Sequence, residues 1–154
     1  MRDTVKYGLL TGIIASIYLG ILANNGEHVG ASLNYGKYLI LILGLFLFFI
    51  RRMKSWTYND FVANFIGSTV VITFVASVVL IISNTILYFI NPILSMQKYT
   101  LIPESTSQLI TIDAIILIET IVVGLLTSFV IFPYFKNKFL DDRGIQQPEE
   151  QFQP

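Results

Sequence analysis

Four long apolar stretches dominate this chain, and each is close to the length needed to cross a bilayer. A spanning helix takes about 20 mostly apolar residues. The first stretch covers residues 5–23, the second 33–50, the third 58–90 and the fourth 110–132. The second is clearest from Tyr38 to Ile50 and reaches full length only if it starts near Leu33. Few charges interrupt them: the chain is 54% hydrophobic and 13% charged, against about 25% charged in soluble domains. A surface this apolar calls for lipid as its solvent. The expected fold class is all-α, an integral membrane four-helix bundle over residues 1–140, followed by a flexible tail over 141–154 whose polar residues have little to bury.

Lys and Arg in the short connections set the orientation. Arg2, Lys6, Arg51, Arg52, Lys54, Lys136, Lys138 and Arg143 fall on one side, and only Lys37 and Lys98 on the other. The richer side is expected to be cytoplasmic, which puts both termini inside a bacterial inner membrane in a multi-pass arrangement. Arg51, Arg52, Lys54, Trp56 and Tyr58 are expected to anchor that interface, since amphipathic rings and basic groups prefer the headgroup layer. Residues 22–25, Leu-Ala-Asn-Asn, make a poor small-x-small cleavage site, so the first helix is expected to be retained. The third stretch is too long for a simple crossing: about 30 residues at 1.5 Å each give about 45 Å, against about 30 Å of hydrocarbon. Thr57-Tyr58-Asn59-Asp60 at its start has a capping pattern, with Thr57 accepting from the Asp60 N–H and the Asp60 carboxylate reaching back.

Composition removes several function classes. Zero net charge provides no basic patch for nucleic acid. The absence of cysteine excludes disulfides, thiolate metal sites and a cysteine nucleophile. With His28 the only histidine, one chain can form neither a multi-histidine metal site nor a His-paired triad. Phosphate loops, HExxH and GxSxG are missing as well. No catalytic residue, metal ligand or cofactor is therefore assigned.

Helix-packing signals are richer. Gly8, Gly12, Ser16 and Gly20 recur every four residues and would form a groove along the first helix. Small residues let backbones approach closely where lipid removes the hydrophobic drive between helices. The groove can serve packing within the bundle or dock another subunit. Thr69, Thr73, Ser77 and Asn84 form a second stripe, and Thr120, Gly124 and Ser128 a third. All three stripes are expected to face inward.

Glu119 is the candidate polar site at membrane depth, together with Thr69, Thr73, Ser77 and Asn84. Ionisable groups in spans are costly and face the interior or a cavity. A proton- or cation-responsive carboxyl and a neutral structural carboxyl bonded to hydroxyls of the third helix both fit. The sequence offers no mid-span cation to pair with it. Asp113, six residues earlier and about 240° round the helix, reads as solvated or capping. Asn24, Asn25, Glu27 and His28 suggest a turn, while Glu104, Lys37 and Lys98 stand isolated.

The segments Val5-Lys6-Tyr7-Gly8-Leu9-Leu10-Thr11-Gly12, Thr57-Tyr58-Asn59-Asp60-Phe61 and Phe132-Pro133-Tyr134-Phe135-Lys136 resemble a family of small bacterial membrane proteins, domain of unknown function 4199, typical of Bacteroidota. The resemblance covers most of residues 4–140. It implies a four-helix membrane protein and carries no activity or site residues. It also makes an accessory role beside a membrane glycosyltransferase conceivable. Together, small size and the lack of a catalytic constellation point to a non-enzymatic accessory or scaffold subunit, bound to a membrane protein partner or to its own copies. The alternative is a small oligomeric transporter or lipid-linked flippase using Glu119.

Overall fold

The computed structural model describes residues 2–24, 35–90 and 106–144. The described chain forms α1 (Arg2–Asn24), α2 (Gly36–Arg52), a single 3-10 turn (Met53–Ser55), α3 (Phe61–Ile90) and α4 (Thr106–Asp141). The protein is all-α, with no strand among the described residues. Three helices, α1, α3 and α4, contain stretches long and apolar enough to cross a membrane. With 17 residues, α2 spans about 26 Å, at the short end of the spanning range.

Apolar residues cover the outside as well as the core. On α2, Leu41, Leu45 and Phe48 are buried, while Leu39, Leu43 and Leu47 are each more than half exposed on the opposite side. Similar exposed rows run along α1 (Ile13, Ile17, Ile21) and α4 (Ile118, Val122, Leu126, Phe129). In water these faces would merge into patches far beyond those tolerated by soluble monomers. A hydrocarbon surrounding removes that cost.

Two antiparallel seams and one parallel seam hold the bundle together. Along α1 and α2, Asp3 pairs with Arg52 at 3.3 Å, Tyr7 meets Phe48 edge-on at 5.3 Å, and Thr11 fills the space above Gly44. Along α3 and α4, Phe61 stacks on Phe139 at 4.6 Å, Thr69 meets Ser128 at 2.7 Å, and Asn84 reaches Asp113 at 3.0 Å. Each step up one helix is matched by a step down the other. The third seam joins α1 to α3 at Gly8 and Gly12, whose Cβ atoms, if present, would lie 2.8 Å from Val75 and Val79 respectively. A side chain cannot be added at either glycine without moving a helix.

These seams bring the starts of α1 and α3 and the ends of α2 and α4 together, so the basic residues of α1, of the end of α2 and its following turn, and of the end of α4 gather at one end. That basic end contains the larger core cluster, built from Phe48, Phe49, Met53, Trp56, Phe61, Phe65, Phe135 and Phe139. The far end contains a smaller aliphatic cluster of Ala15, Leu19, Leu80, Ile112 and Ile116.

Three sequence expectations change here. First, α4 does not stop at residue 132 but continues through Pro133 to Asp141. Proline removes one helical N–H, yet Phe135, Phe139 and Leu140 beyond it are buried, and this packing sustains the helix. Second, the Thr57 hydroxyl donates to the Asp60 carboxylate at 2.6 Å instead of accepting from its backbone, and α3 begins at Phe61. Third, residues 141–144 belong to the folded bundle: the Arg143 guanidinium donates to the Trp56 carbonyl and lies 4.6 Å from the Phe139 ring centroid. Residues 145–154 lie outside the described residues.

Candidate functional site: polar clamps within the apolar bundle

At the far end, the first turn of α2 meets α4. Lys37 is on the same α2 stripe as Leu41, Leu45 and Phe48, and its side chain is 6% exposed. Its ammonium lies 3.3 Å from the Glu119 carboxylate and 4.8 Å from the Tyr38 ring centroid. The Tyr38 hydroxyl donates to the same Glu119 oxygen. One carboxylate thus receives two donors from adjacent residues of one helix. Glu119 itself remains 42% exposed at the α2–α4 boundary.

The expectation for Glu119 is corrected accordingly. It has a cationic partner, and its hydrogen bonds among the described residues go to α2, not to the α3 hydroxyls. Lys37 is correspondingly not an isolated loop cation: α2 begins only at Gly36, leaving Lys37 inside the bundle. Glu119 is 13 residues into α4, so the start of α2 lies about 20 Å along α4 from its Thr106 end. A buried ion pair is at best weakly stabilising against an apolar alternative, but removing one partner strands the other.

A second clamp lies nearer the far end. Asn84, 1% exposed, donates to one Asp113 oxygen at 3.0 Å, and the Thr85 hydroxyl reaches the other at 3.3 Å. Asp113 is therefore a cross-link between α3 and α4 rather than a solvated cap.

Thr69, Thr73 and Ser77 form a third, neutral set. All three are fully buried. Thr69 donates to the Phe65 carbonyl at 3.0 Å, which leaves the Ser128 hydroxyl to donate to Thr69. Thr73 and Ser77 donate to the Thr69 and Phe74 carbonyls, and Thr120 to Ile116. Opposite Thr73 is Gly124, where an added Cβ would collide with the threonine methyl. These hydroxyls satisfy themselves locally while their small volume lets α3 and α4 close. The five residues of the polar site expected from sequence thus divide: Thr69, Thr73, Ser77 and Asn84 line the α3–α4 seam, and Glu119 faces α2.

The first-helix stripe also divides. Gly8 and Gly12 contact α3 closely, but nothing lies within 4 Å of a Cβ built at Gly20. From Ser16 onward the stripe opens into an apolar groove of about 390 Å³, bordered by Ile17, Val79, Ser83 and Ile86. The Ser16 hydroxyl, buried at its base, has no hydrogen-bond partner among the described residues. The continuous inward groove expected from sequence is therefore only half filled.

At the basic end, Arg51, Lys54 and Tyr58 are exposed and Arg52 half-exposed. Trp56 is not an interface ring: it is 8% exposed and packed edge-on against Phe49 and Phe61 at 6.0 and 5.8 Å. Its extended backbone, φ −89 and ψ 151, ends the 3-10 turn and directs the ring back into the core. Glycines Gly36 and Gly44, against Tyr18 and Thr11, were not singled out in the sequence, although their spacing of eight puts them on one helical face.

The space beside Lys37, bordered by Thr11, Ala15, Leu41, Ala76, Leu80 and Thr120, is about 10 Å³, at the limit for one water molecule. It cannot admit a substrate. Among the described residues, no group of three His, Asp or Glu side chains is placed to hold a metal. The Asn25–His28 turn, Glu104 and Lys98 lie outside the described residues, as does the Asn24 side chain. No protein-family model matches the chain, and searches of curated proteins and of solved structures return no similar protein.

Proposed function

We propose that the chain is a non-enzymatic accessory or scaffold subunit of a bacterial inner-membrane complex, multi-pass with both termini in the cytoplasm. The observation that carries this reading is how the acidic groups inside the bundle are used. Glu119 and Asp113 each join two helices, and the space beside the Lys37–Glu119 pair is too small for a passenger. Charge serves as a fastener, which suits a protein whose task is to hold a shape. The half-open groove at Ser16 and Gly20 supplies a face on which a helix of a membrane partner can seat. The family resemblance makes a membrane glycosyltransferase the first partner to test.

Purification in mild detergent, with mass spectrometry of the stoichiometric species, tests the reading. One membrane protein recovered at a fixed ratio, and lost from Ser16→Leu, is the supporting result. Single cysteines at Ser32, Ser55 and Ser105 test the orientation in whole cells: an impermeant thiol reagent should label 32 and 105 but spare 55. Labelling of 55 alone would reverse it.

The residual exposure of Glu119 favours one competing reading, an oligomeric transporter or lipid-linked flippase. A homo-oligomer whose pH-dependent transport disappears in Glu119→Gln, with folding intact, would replace the scaffold reading.

A further inference from the structure

The basic half of the α3–α4 face carries a second groove, about 200 Å³ in volume. Val62 and Ile66 of α3 and Leu125 and Phe129 of α4 form its rims, and Thr69 and Ser128 lie at its base. The two hydroxyls bond to each other, and Thr69 also to Phe65, so nothing in the groove calls for a polar group. It exists because small residues on the seam lie lower than the flanking side chains. Ile66 and Phe129 are 50% and 74% exposed, leaving it open sideways to whatever surrounds the bundle.

Charge at its mouth distinguishes this groove from the larger one on α1. Lys136 comes four residues after Phe132 and seven after Phe129, hence on the same face of α4. It is exposed and has no ion pair among the described residues, whereas Arg52 is paired with Asp3 and Arg143 is held by the Trp56 carbonyl. Asp60, near the other rim, already accepts from Thr57. Hydrocarbon space ending at an unpaired cation matches one chemistry. Basic residues at a helix end attract anionic lipid headgroups, and apolar grooves take their chains.

We propose that this groove is a binding site for an anionic phospholipid of the leaflet at the basic end, with one acyl chain between Ile66 and Phe129 and its phosphate at Lys136. The site rests on the membrane placement above but not on the scaffold role.

Native mass spectrometry of the whole protein in mild detergent, titrated with phosphatidylglycerol or phosphatidylcholine, tests it. One phosphatidylglycerol should be retained per chain in clear preference to phosphatidylcholine. Lys136→Gln should weaken its retention about fivefold, the effect of one surface cation on an anionic lipid. Ile66→Trp, which fills the groove from its exposed rim, should abolish the preference while leaving the melting temperature unchanged. Lys138→Gln, about 200° round the helix from Lys136, should change nothing. Equal retention of the two lipids, or full retention by Ile66→Trp, would overturn the site. So would a dimer that Ile66→Trp dissociates, since the groove would then belong to a second copy. Unchanged recovery of a partner protein by Ile66→Trp separates failure of this site from failure of the scaffold reading.

Discussion

The two ends of the bundle are held by different physics. At the basic end, aromatic rings interlock across three helices: Phe49 stacks on Phe65 at 4.0 Å, Phe61 on Phe139 at 4.6 Å, and Phe65 meets Phe132 edge-on at 5.2 Å. At the far end the core is a few aliphatic side chains, and directed polar contacts connect the helices. Ring packing is cohesive, but many arrangements satisfy it comparably well. A Lys–Glu–Tyr clamp satisfies only one register. In lipid, where burial of apolar area no longer drives helices together, dispersion supplies cohesion and polar pairs supply address. The far end is also where the α1 groove opens.

The contrast can be broken in order of severity. Gly124→Leu should prevent the bundle from forming, because the seam at Thr73 has no room even for a methyl group. Loss of the folded species on size-exclusion chromatography checks this. Phe49→Ala, at a fully buried ring, should cost about 3 kcal/mol, the lower part of the range for aromatic truncation, because lipid offsets the transfer component. Asp113→Leu should cost about 1.5 kcal/mol by removing the acceptor shared by the Asn84 amide and the Thr85 hydroxyl across the α3–α4 seam. Denaturant titration in detergent measures both. If Phe49→Ala cost less than Asp113→Leu, the assignment of cohesion to the basic end would be wrong. Gly20→Ala should be nearly silent in stability, within about 0.5 kcal/mol, because its Cβ would meet nothing.

Much of this architecture is legible in the residues. Four apolar stretches are four helices, and the every-fourth-residue rows of Gly8 and Gly12 and of Thr69, Thr73, Gly124 and Ser128 mark places where helices touch. The departures share a physical cause: local sequence signals do not fix what packing between helices decides. The fourth stretch ends at residue 132, just before Pro133, but the apolar spacing of Phe132, Phe135 and Phe139 continues past it. Trp56 read as an interface ring because basic residues precede it, although its backbone turns it inward. Lys37 reads as an isolated outer cation in the sequence because the clearest apolar run of the second stretch starts only at Tyr38. Its spacing from Leu41, Leu45 and Phe48 already placed it on the buried face. No local pattern could have joined Lys37 to Glu119, since 82 residues separate them and their pairing depends on how α2 lies against α4.

A double-mutant cycle on that pair tests the structural role of charge most directly. Lys37→Met, Glu119→Gln and the combined variant would be compared by reversible unfolding in mild detergent. Residues in direct contact couple by about 0.5–3 kcal/mol, and the half-exposed carboxylate puts this pair in the lower part of that range. The expected result is a coupling of about 1 kcal/mol, with the double variant more stable than the sum of the single losses implies. Additive losses, with no coupling beyond about 0.5 kcal/mol, would mean that Lys37 and Glu119 do not fasten α2 to α4, and would return Glu119 to the transporter reading.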